Sequence, residues 1–271
     1  MNFDNYECEG QLNIFEVFDG AVPLKINKKV RLIELFGGIG SQAMALERLG
    51  VDFEHYRLIE WEQSAVNSYN AIHGTNFEKQ DITKISAEDL QIVQTDKFCY
   101  IMTYSFPCQD LSVAGNMKGM AEGSETRSSL LWQVKRLLDE CTELPQILLM
   151  ENVQQVHSEG ENRRNFQKWL NYLSEKGYKS EYRDMNACNY GIPQNRVRCF
   201  CLSWLGNYVY KFPQTIPLNV EANQYLEDCV SEDFYIKGER SEKLLDNWRK
   251  NNKILTDRQT DRQTDNRLVS V

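Results

Sequence analysis

No apolar run in this 271-residue chain approaches the roughly 20 residues of a membrane span, so no transmembrane segment is expected. Basic charge is missing where a leader would need it. The first 24 residues hold five acids (Asp4, Glu7, Glu9, Glu16, Asp19) and no Lys or Arg, which excludes a secretory or mitochondrial leader. Metal-ligand spacing is missing as well. There are only three histidines, and none of the eight cysteines is spaced C-x-x-C, so no metal site is expected. With no leader, those cysteines read as reduced thiols in a cytosol. Positive charge is also short overall. Lys plus Arg is 31 against 39 Asp plus Glu, a net charge of −8. Taken naively, that figure argues against a nucleic-acid partner. A mostly disordered or fibrous chain is excluded by a composition of 41% hydrophobic and 26% charged residues, although the repetitive 256–271 tail is expected to be disordered.

What is present is an alternation. A strand-like run, "VRLIELF", starts at Val30 and ends on Gly37-Gly38-Ile39-Gly40. A helical pattern follows (Ala43, Leu46, Leu49) and stops at Gly50. "YRLIE" at 56–60 reads as a second buried strand, followed by a helix through Val66 and Tyr69. "FCYIMTYS" at 98–105 and "QILLMEN" at 146–152 read as further buried strands, with an amphipathic helix "SSLLWQVKRLLDEC" between them. Residues 162–175 read as a helix, and "YKSEYRDM" and "VRCFCLSW" as a hairpin-like strand pair. Short apolar strands alternating with helices predict an α/β doubly wound sheet, mostly parallel, with an antiparallel pair at one end. Ligands in such folds sit beyond the carboxyl ends of the strands. Gly37–Gly40, Glu60, Ser105–Cys108 and Glu151-Asn152 are therefore expected to face one crevice.

Each of these positions has a chemical reading. The strand–glycine turn–helix at 32–46 lets backbone N–H groups approach a ligand closely. Its F-G-G-I-G pattern lacks the spacing of a dinucleotide or phosphate-loop fingerprint, and a tight structural turn is the competing reading. Glu60 ends a strand where an acid commonly grips ribose hydroxyls, and the indole of Trp61 can stack on adenine. The competing reading is a helix-start acid beside a partly buried aromatic. Asp81-Ile82 lies near an expected third strand end, or Asp81 starts a helix before Thr83. Cys108, in "SFPCQDLS", follows a buried strand, and Pro107 fixes the backbone there. A thiolate is the soft nucleophile suited to conjugate addition to an electron-poor ring. Glu151 beside such a thiol is an acid that burial and like charge hold protonated. If "PQNRVR" is extended, alternation puts Gln194, Arg196 and Arg198 on one face.

In this order, "LIELFGGIGSQAMALERLG", Glu60-Trp61, Asp81-Ile82, "SFPCQDLSVAG", "TRSSLLWQV", "ENV" and "QNRVR" resemble the DNA (cytosine-5) methyltransferase family. The resemblance covers roughly residues 30–204. It implies an S-adenosylmethionine-dependent methyltransferase (Rossmann-like) fold with a target-recognition region after it. S-adenosylmethionine would lie over Phe36, Gly38, Ile39 and Gly40, near Ile82 and Pro107. Glu60 would hold its ribose, Trp61 would pack on adenine, and Asp81 would accept from the adenine amino group. A cytosine of double-stranded DNA would be flipped out into the crevice. Cys108 would add to ring carbon 6. Glu151 would hydrogen-bond the ring nitrogen and amino group, Arg198 the base carbonyl, and Arg196 would support it. Pro107, Gln109, Ser112, Asn152 and Gln194 would complete the substrate shell. The alternatives are an RNA cytosine-5 methyltransferase on the same scaffold, and a silent remnant or subunit that binds cofactor or DNA only.

The resemblance also implies what should follow residue 204: a recognition region, an arginine-rich helix motif and a final Gly-x-Val element. Neither of the last two is seen before Val271, so the chain reads as C-terminally truncated, or as completed by a second polypeptide. The expected organisation is an acidic extension over 1–29, a catalytic domain over 30–204, the start of a recognition region over 205–255, and a repetitive tail over 256–271. That tail opens with "TDRQTDRQTD" at 256–265, whose four-residue period is what a translated tetranucleotide repeat yields. Slippage there would shift the reading frame. The lead-in segment "QLNIF", Gln11 to Phe15, resembles the short peptide by which bacterial proteins dock on the replication sliding clamp. The expected location is the cytoplasm of a bacterial or phage-infected cell. Charge is segregated: between Arg163 and Arg198 eight basic residues face three acidic ones, a local +5 inside a chain of −8. Phosphates need positive charge where they run, not a basic average, so DNA is not excluded.

Overall fold

A computed structural model describes residues 22–107, 127–158, 160–220 and 238–250, with isolated positions between the last two ranges. Cys108, Gln109, Ser112, the Gln11–Phe15 segment and the 256–265 repeat lie outside the described residues. The chain divides into two units, Met1–Asn219 and Val220–Val271. The first unit runs β1 (Val22–Pro23), β2 (Lys29–Leu35), α1 (Ser41–Arg48), β3 (Phe53–Ile59), α2 (Gln63–His73), α3 (Ala87–Leu90) and β4 (Phe98–Tyr104). It continues with α4 (Leu131–Glu140), β5 (Ile147–Asn152), α5 (Glu161–Glu175), β6 (Tyr178–Asn186), β7 (Val197–Leu205) and β8 (Tyr208–Val209). The described helix of the second unit is α6 (Glu239–Lys250).

Six strands form one sheet in the order β3-β2-β4-β5-β7-β6. β3, β2, β4 and β5 are parallel to one another, and β7 is antiparallel to both β5 and β6. β1 and β8 make a separate two-stranded parallel pair. The predicted parallel sheet with an antiparallel pair at one end is therefore what the chain forms. Alternation along β2 and β4 feeds two cores. Ile33, Leu35, Tyr100, Met102 and Tyr104 meet α4 and α5 through Leu131, Leu137, Phe166 and Trp169. Val30, Leu32, Cys99 and Ile101 meet Ala43 and Trp204 on the other face. Cover on both faces is why these strands read as unbroken apolar runs. Trp169 is fully buried, and its Nε1 donates to the Tyr104 hydroxyl at 3.1 Å, so its one polar atom is satisfied.

Register sets the site. Leu35 pairs with Ile59 on one side and Tyr104 on the other, and Tyr104 pairs with Met150. The next residues, Phe36, Glu60 and Ser105, thus leave three parallel strands at one level, shared by Glu151 near the end of the fourth. The expected crevice would run along that edge.

Two expectations change. No strand forms near Asp81 among the described residues; the segment touches β3 through one bond, Gln80 N–H to the Glu60 carbonyl at 2.8 Å. Nor is "PQNRVR" extended throughout. β7 starts at Val197, and the segment before it turns tightly, with Gln194 N–H donating to Ile192 O (2.7 Å) and Arg196 N–H to Gln194 O (3.0 Å). Such i to i+2 bonds curl the chain, so period-two alternation cannot align Gln194 and Arg196 with Arg198. Among the described residues no helix is long and apolar enough to cross a membrane.

Candidate active site

The glycine turn is built under steric demand. Phe36 continues the pairing with β3 by one bond, its N–H to Ile59 O at 2.7 Å, and takes φ +58°. Left-handed backbone costs a non-glycine residue about 1–2 kcal/mol, and such strain concentrates at ligand clamps. Gly40, the N-cap of α1, has φ +83°. A Cβ on it would sit 2.4 Å from His73 Nε2 and 2.7 Å from Tyr69 Cε2. Gly38 is also left-handed, at φ +56°, yet a Cβ there would meet nothing within 4 Å. The turn is therefore packed from behind at Gly40 and open in front at Gly38.

Glu60, at the end of β3, locks this turn. Its Oε2 accepts from the Gly38 N–H at 2.9 Å and its Oε1 from the Glu62 N–H at 2.8 Å. Each carboxylate oxygen keeps a second acceptor position, so the group is rigid and still able to bind a diol. Next to it Trp61 is 61% exposed, with Lys79 Nζ 5.4 Å from its ring centroid, and Ile39 is 47% exposed. Apolar faces left open beside a fixed carboxylate suit a nucleoside: ring on indole, sugar on acid. Asp81 is engaged locally. Its Oδ1 accepts from the Thr83 hydroxyl (2.7 Å) and the Thr83 N–H (3.0 Å), and these bonds hold its carboxyl below the ordinary value. Ile82 is buried in the core.

On the far side of the edge, Glu151 lies in β5 and Arg198 in β7. Glu151 pairs with Phe200, so Arg198 is its diagonal neighbour on the same face. Arg198 Nε lies 3.1 Å from Glu151 Oε1, and both side chains keep 22% exposure. Glu151 thus meets a cation here. Arg198 also donates to the Val197 carbonyl at 2.7 Å, which limits its rotamers. Gln194 and Arg196 are exposed in the preceding turn.

Asn152 is 2% exposed, and its amide is fully engaged: Nδ2 donates to Phe106 O at 3.0 Å and Oδ1 accepts from Val153 N–H at 2.8 Å. It ties the end of β5 to the segment that carries Pro107 out of β4. Gln42 Nε2, in α1, reaches Ser105 Oγ at 3.4 Å and links the same segment to the glycine turn. Neither link shows in the sequence, because both side chains act across strand ends more than 40 residues apart.

Residues 30–269 match the family described as C-5 cytosine-specific DNA methylase. The chain belongs to that family. Among its relatives, this C-5 cytosine-specific DNA methylase is 34% identical over 257 residues to the Type II methyltransferase M2.ScrFI of Lactococcus lactis subsp. cremoris, covering 77% of this chain and 70% of that one. It is 34% identical over 237 residues to the orphan methyltransferase M.SssI of Spiroplasma monobiae, covering 67% of this chain and 61% of that one. The chain thus spans between 61% and 70% of the length of these curated relatives. In fold it resembles the S. pombe Dnmt2 methyltransferase, with a TM-score of 0.60 at 23% identity over 82% of this chain and 66% of that one. S-adenosylmethionine is the methyl donor of the family. The glycine turn, Glu60 and exposed Trp61 are chemically suited to it.

Proposed function

We propose that this chain methylates carbon 5 of cytosine in double-stranded DNA, in a restriction–modification or phage-protection setting in bacterial cytoplasm. The observation that supports this reading is the shared level of four strand ends. It sets a nucleoside-suited turn (Phe36–Gly40 with Glu60 and Trp61) beside the exit toward Pro107-Cys108 and the Glu151–Arg198 pair.

S-adenosylmethionine supplies an electrophilic methyl group. Glu60 holds the ribose hydroxyls, Trp61 packs on the adenine, and Asp81 accepts from its amino group. The target cytosine leaves the stack and enters the crevice. The Cys108 thiolate adds to ring carbon 6. Glu151 hydrogen-bonds the ring nitrogen and amino group, so electron density moves to carbon 5, which takes the methyl group. Carbon 5 then loses its proton to water acting as base, the electron pair re-forms the 5,6 double bond, the bond to sulfur breaks, and the thiolate is released. Arg198 orients Glu151 and contacts the base carbonyl. Asn152 acts as a positioning residue for the Pro107-Cys108 backbone, a task its buried amide already performs toward Phe106. Arg196 and Gln194, curled before β7, serve the rim rather than the same face as Arg198.

Neither the fold nor the relatives support a second polypeptide or a clamp contact through Gln11–Phe15, and neither forms part of the proposal. DNA is favoured over RNA because the relatives at 34% identity carry type II and orphan methyltransferase names within a DNA methylase family. The test is transfer of labelled methyl from S-adenosylmethionine to duplex DNA, with tRNA in parallel. Wild type should label duplex DNA. Cys108→Ala should label nothing while calorimetry still shows cofactor binding. Turnover in Cys108→Ala would sink the mechanism. Cofactor binding with no turnover in wild type would establish the silent reading instead.

A further inference from the structure

Against the glycine turn, on the Gly40 side, three side chains from three elements converge: Glu47 of α1, His55 of β3 and His73 at the end of α2. Glu47 Oε1 lies 2.9 Å from His73 Nδ1 and 3.6 Å from His55 Nε2, and the three atoms lie within 4.8 Å of one another.

The hydrogen bonds behind each ring decide what faces the centre. His73 Nε2 contacts the Ile39 carbonyl at 3.1 Å, and a carbonyl only accepts, so Nε2 carries the proton. Nδ1 is therefore the His73 nitrogen that faces Glu47. The Tyr69 hydroxyl donates to buried Glu34 at 2.6 Å, so its oxygen accepts from His55 Nδ1–H at 2.8 Å. That leaves Nε2 of His55 facing Glu47 too. Two imidazole nitrogens and a carboxylate oxygen from three elements thus converge on one point.

We propose that Glu47, His55 and His73 bind a divalent transition-metal ion of the zinc class. Two imidazoles and one carboxylate form a donor set used for zinc, whereas calcium and magnesium prefer all-oxygen shells. Zinc–ligand bonds of about 2.1 Å in a tetrahedron set neighbouring ligands about 3.4 Å apart. The Glu47–His55 separation of 3.6 Å is close to that. The Glu47–His73 separation of 2.9 Å has to widen by a few tenths of an ångström, which the 46%-exposed Glu47 side chain is free to allow. The same exposure leaves a fourth position to water. Each imidazole already donates its far N–H to an oxygen, the support that metal-bound histidines typically have. Because the support of His73 is the Ile39 carbonyl, the bound ion would brace the glycine turn from behind. The ligands come from positions 47, 55 and 73 and share no motif spacing, which is why the sequence alone predicts no metal site.

The test uses the full chain after chelator treatment. Zinc is titrated by calorimetry at neutral pH, and the ring signals of His55 and His73 are followed by NMR. One equivalent should bind with both rings perturbed, and Glu47→Gln and His55→Asn should each weaken it by about tenfold or more. Glu47 is half-exposed, so its substitution does not threaten folding. Three results would each overturn the proposal. One is no binding by wild type. Another is unchanged affinity in both variants, which would place the metal on thiols elsewhere. The third is a His73 ring doubly protonated at neutral pH and indifferent to zinc.

Discussion

Gly38 and Gly40 make a controlled pair, because both are left-handed and only one is crowded. Alanine at either position adds the left-handed penalty of about 1–2 kcal/mol. At Gly38 the new methyl group meets nothing within 4 Å, so that penalty is the whole stability cost. At Gly40 the methyl would fall 2.4 Å from His73 Nε2 and 2.7 Å from Tyr69 Cε2. Overpacking of that kind costs about 1–3 kcal/mol. Moving Tyr69 also loosens its 2.6 Å bond to Glu34, which is fully buried, and an unsatisfied buried acceptor costs about 1–3 kcal/mol more. Gly40→Ala should therefore lose about 3–8 kcal/mol, against about 1–2 for Gly38→Ala. In a unit of this size each kcal/mol shifts Tm by about 2–4 °C. Thermal unfolding followed by circular dichroism should show a fall of a few degrees for Gly38→Ala and more than about 6 °C for Gly40→Ala. Cofactor affinity should split the other way per unit of stability lost, because the Gly38 methyl would occupy the open side of the turn. Equal Tm shifts, or a larger one at Gly38, would refute the assignment of a packed back and an open front.

Other outcomes follow from the same geometry. Trp61→Ala should leave Tm unchanged, since the indole is 61% exposed, and weaken S-adenosylmethionine binding by about 3- to 10-fold in calorimetry. Trp169→Ala empties a fully buried site and strands the Tyr104 hydroxyl; denaturant titration should show a loss of about 3–5 kcal/mol. Burial alone would raise Asp139, but hydrogen bonds from Lys176, Lys135 and Tyr172 outweigh it and carry the carboxyl from 3.8 to about 2. A depressed folded-state value stabilises above the unfolded one and is lost as pH falls. Wild type should therefore lose stability relative to Asp139→Asn between about pH 4 and pH 2, as read from parallel Tm profiles. Burial pushes the Cys99 thiol to about 11 and Cys201 to about 12, so a thiol reagent at pH 8 should leave both unmodified until the chain is unfolded.

Legibility differed by the range of the interaction. Phe98–Tyr104 and Ile147–Asn152 were readable because full burial on two faces leaves an apolar run that local sequence displays. Once parallel order is assumed, Phe36, Glu60 and Glu151 follow as neighbours without further information. Asp81 was misplaced on a strand end because the segment has one sheet bond where a strand needs a ladder. Gln194 and Arg196 were misaligned because alternation presumes extension, and Gly191, at φ +80°, and Pro193 sit in a segment that curls instead. The tasks of Asn152 and Gln42, and the meeting of Glu47, His55 and His73, are purely tertiary. No periodicity encodes them.

The diagonal contact between Glu151 and Arg198 has a consequence for how this chain tolerates change. Residues 187–196 lie between two paired strands and pack few side chains inside, so an inserted or deleted residue there is absorbed by the turn. The same event between Val197 and Phe200 is not. Side chains on β7 alternate between faces, so a single-residue slip would turn Arg198 away and present its neighbour, now the buried Cys199, to the acid. Length changes before Val197 should therefore keep the Glu151–Arg198 contact, and those between Val197 and Phe200 should lose it.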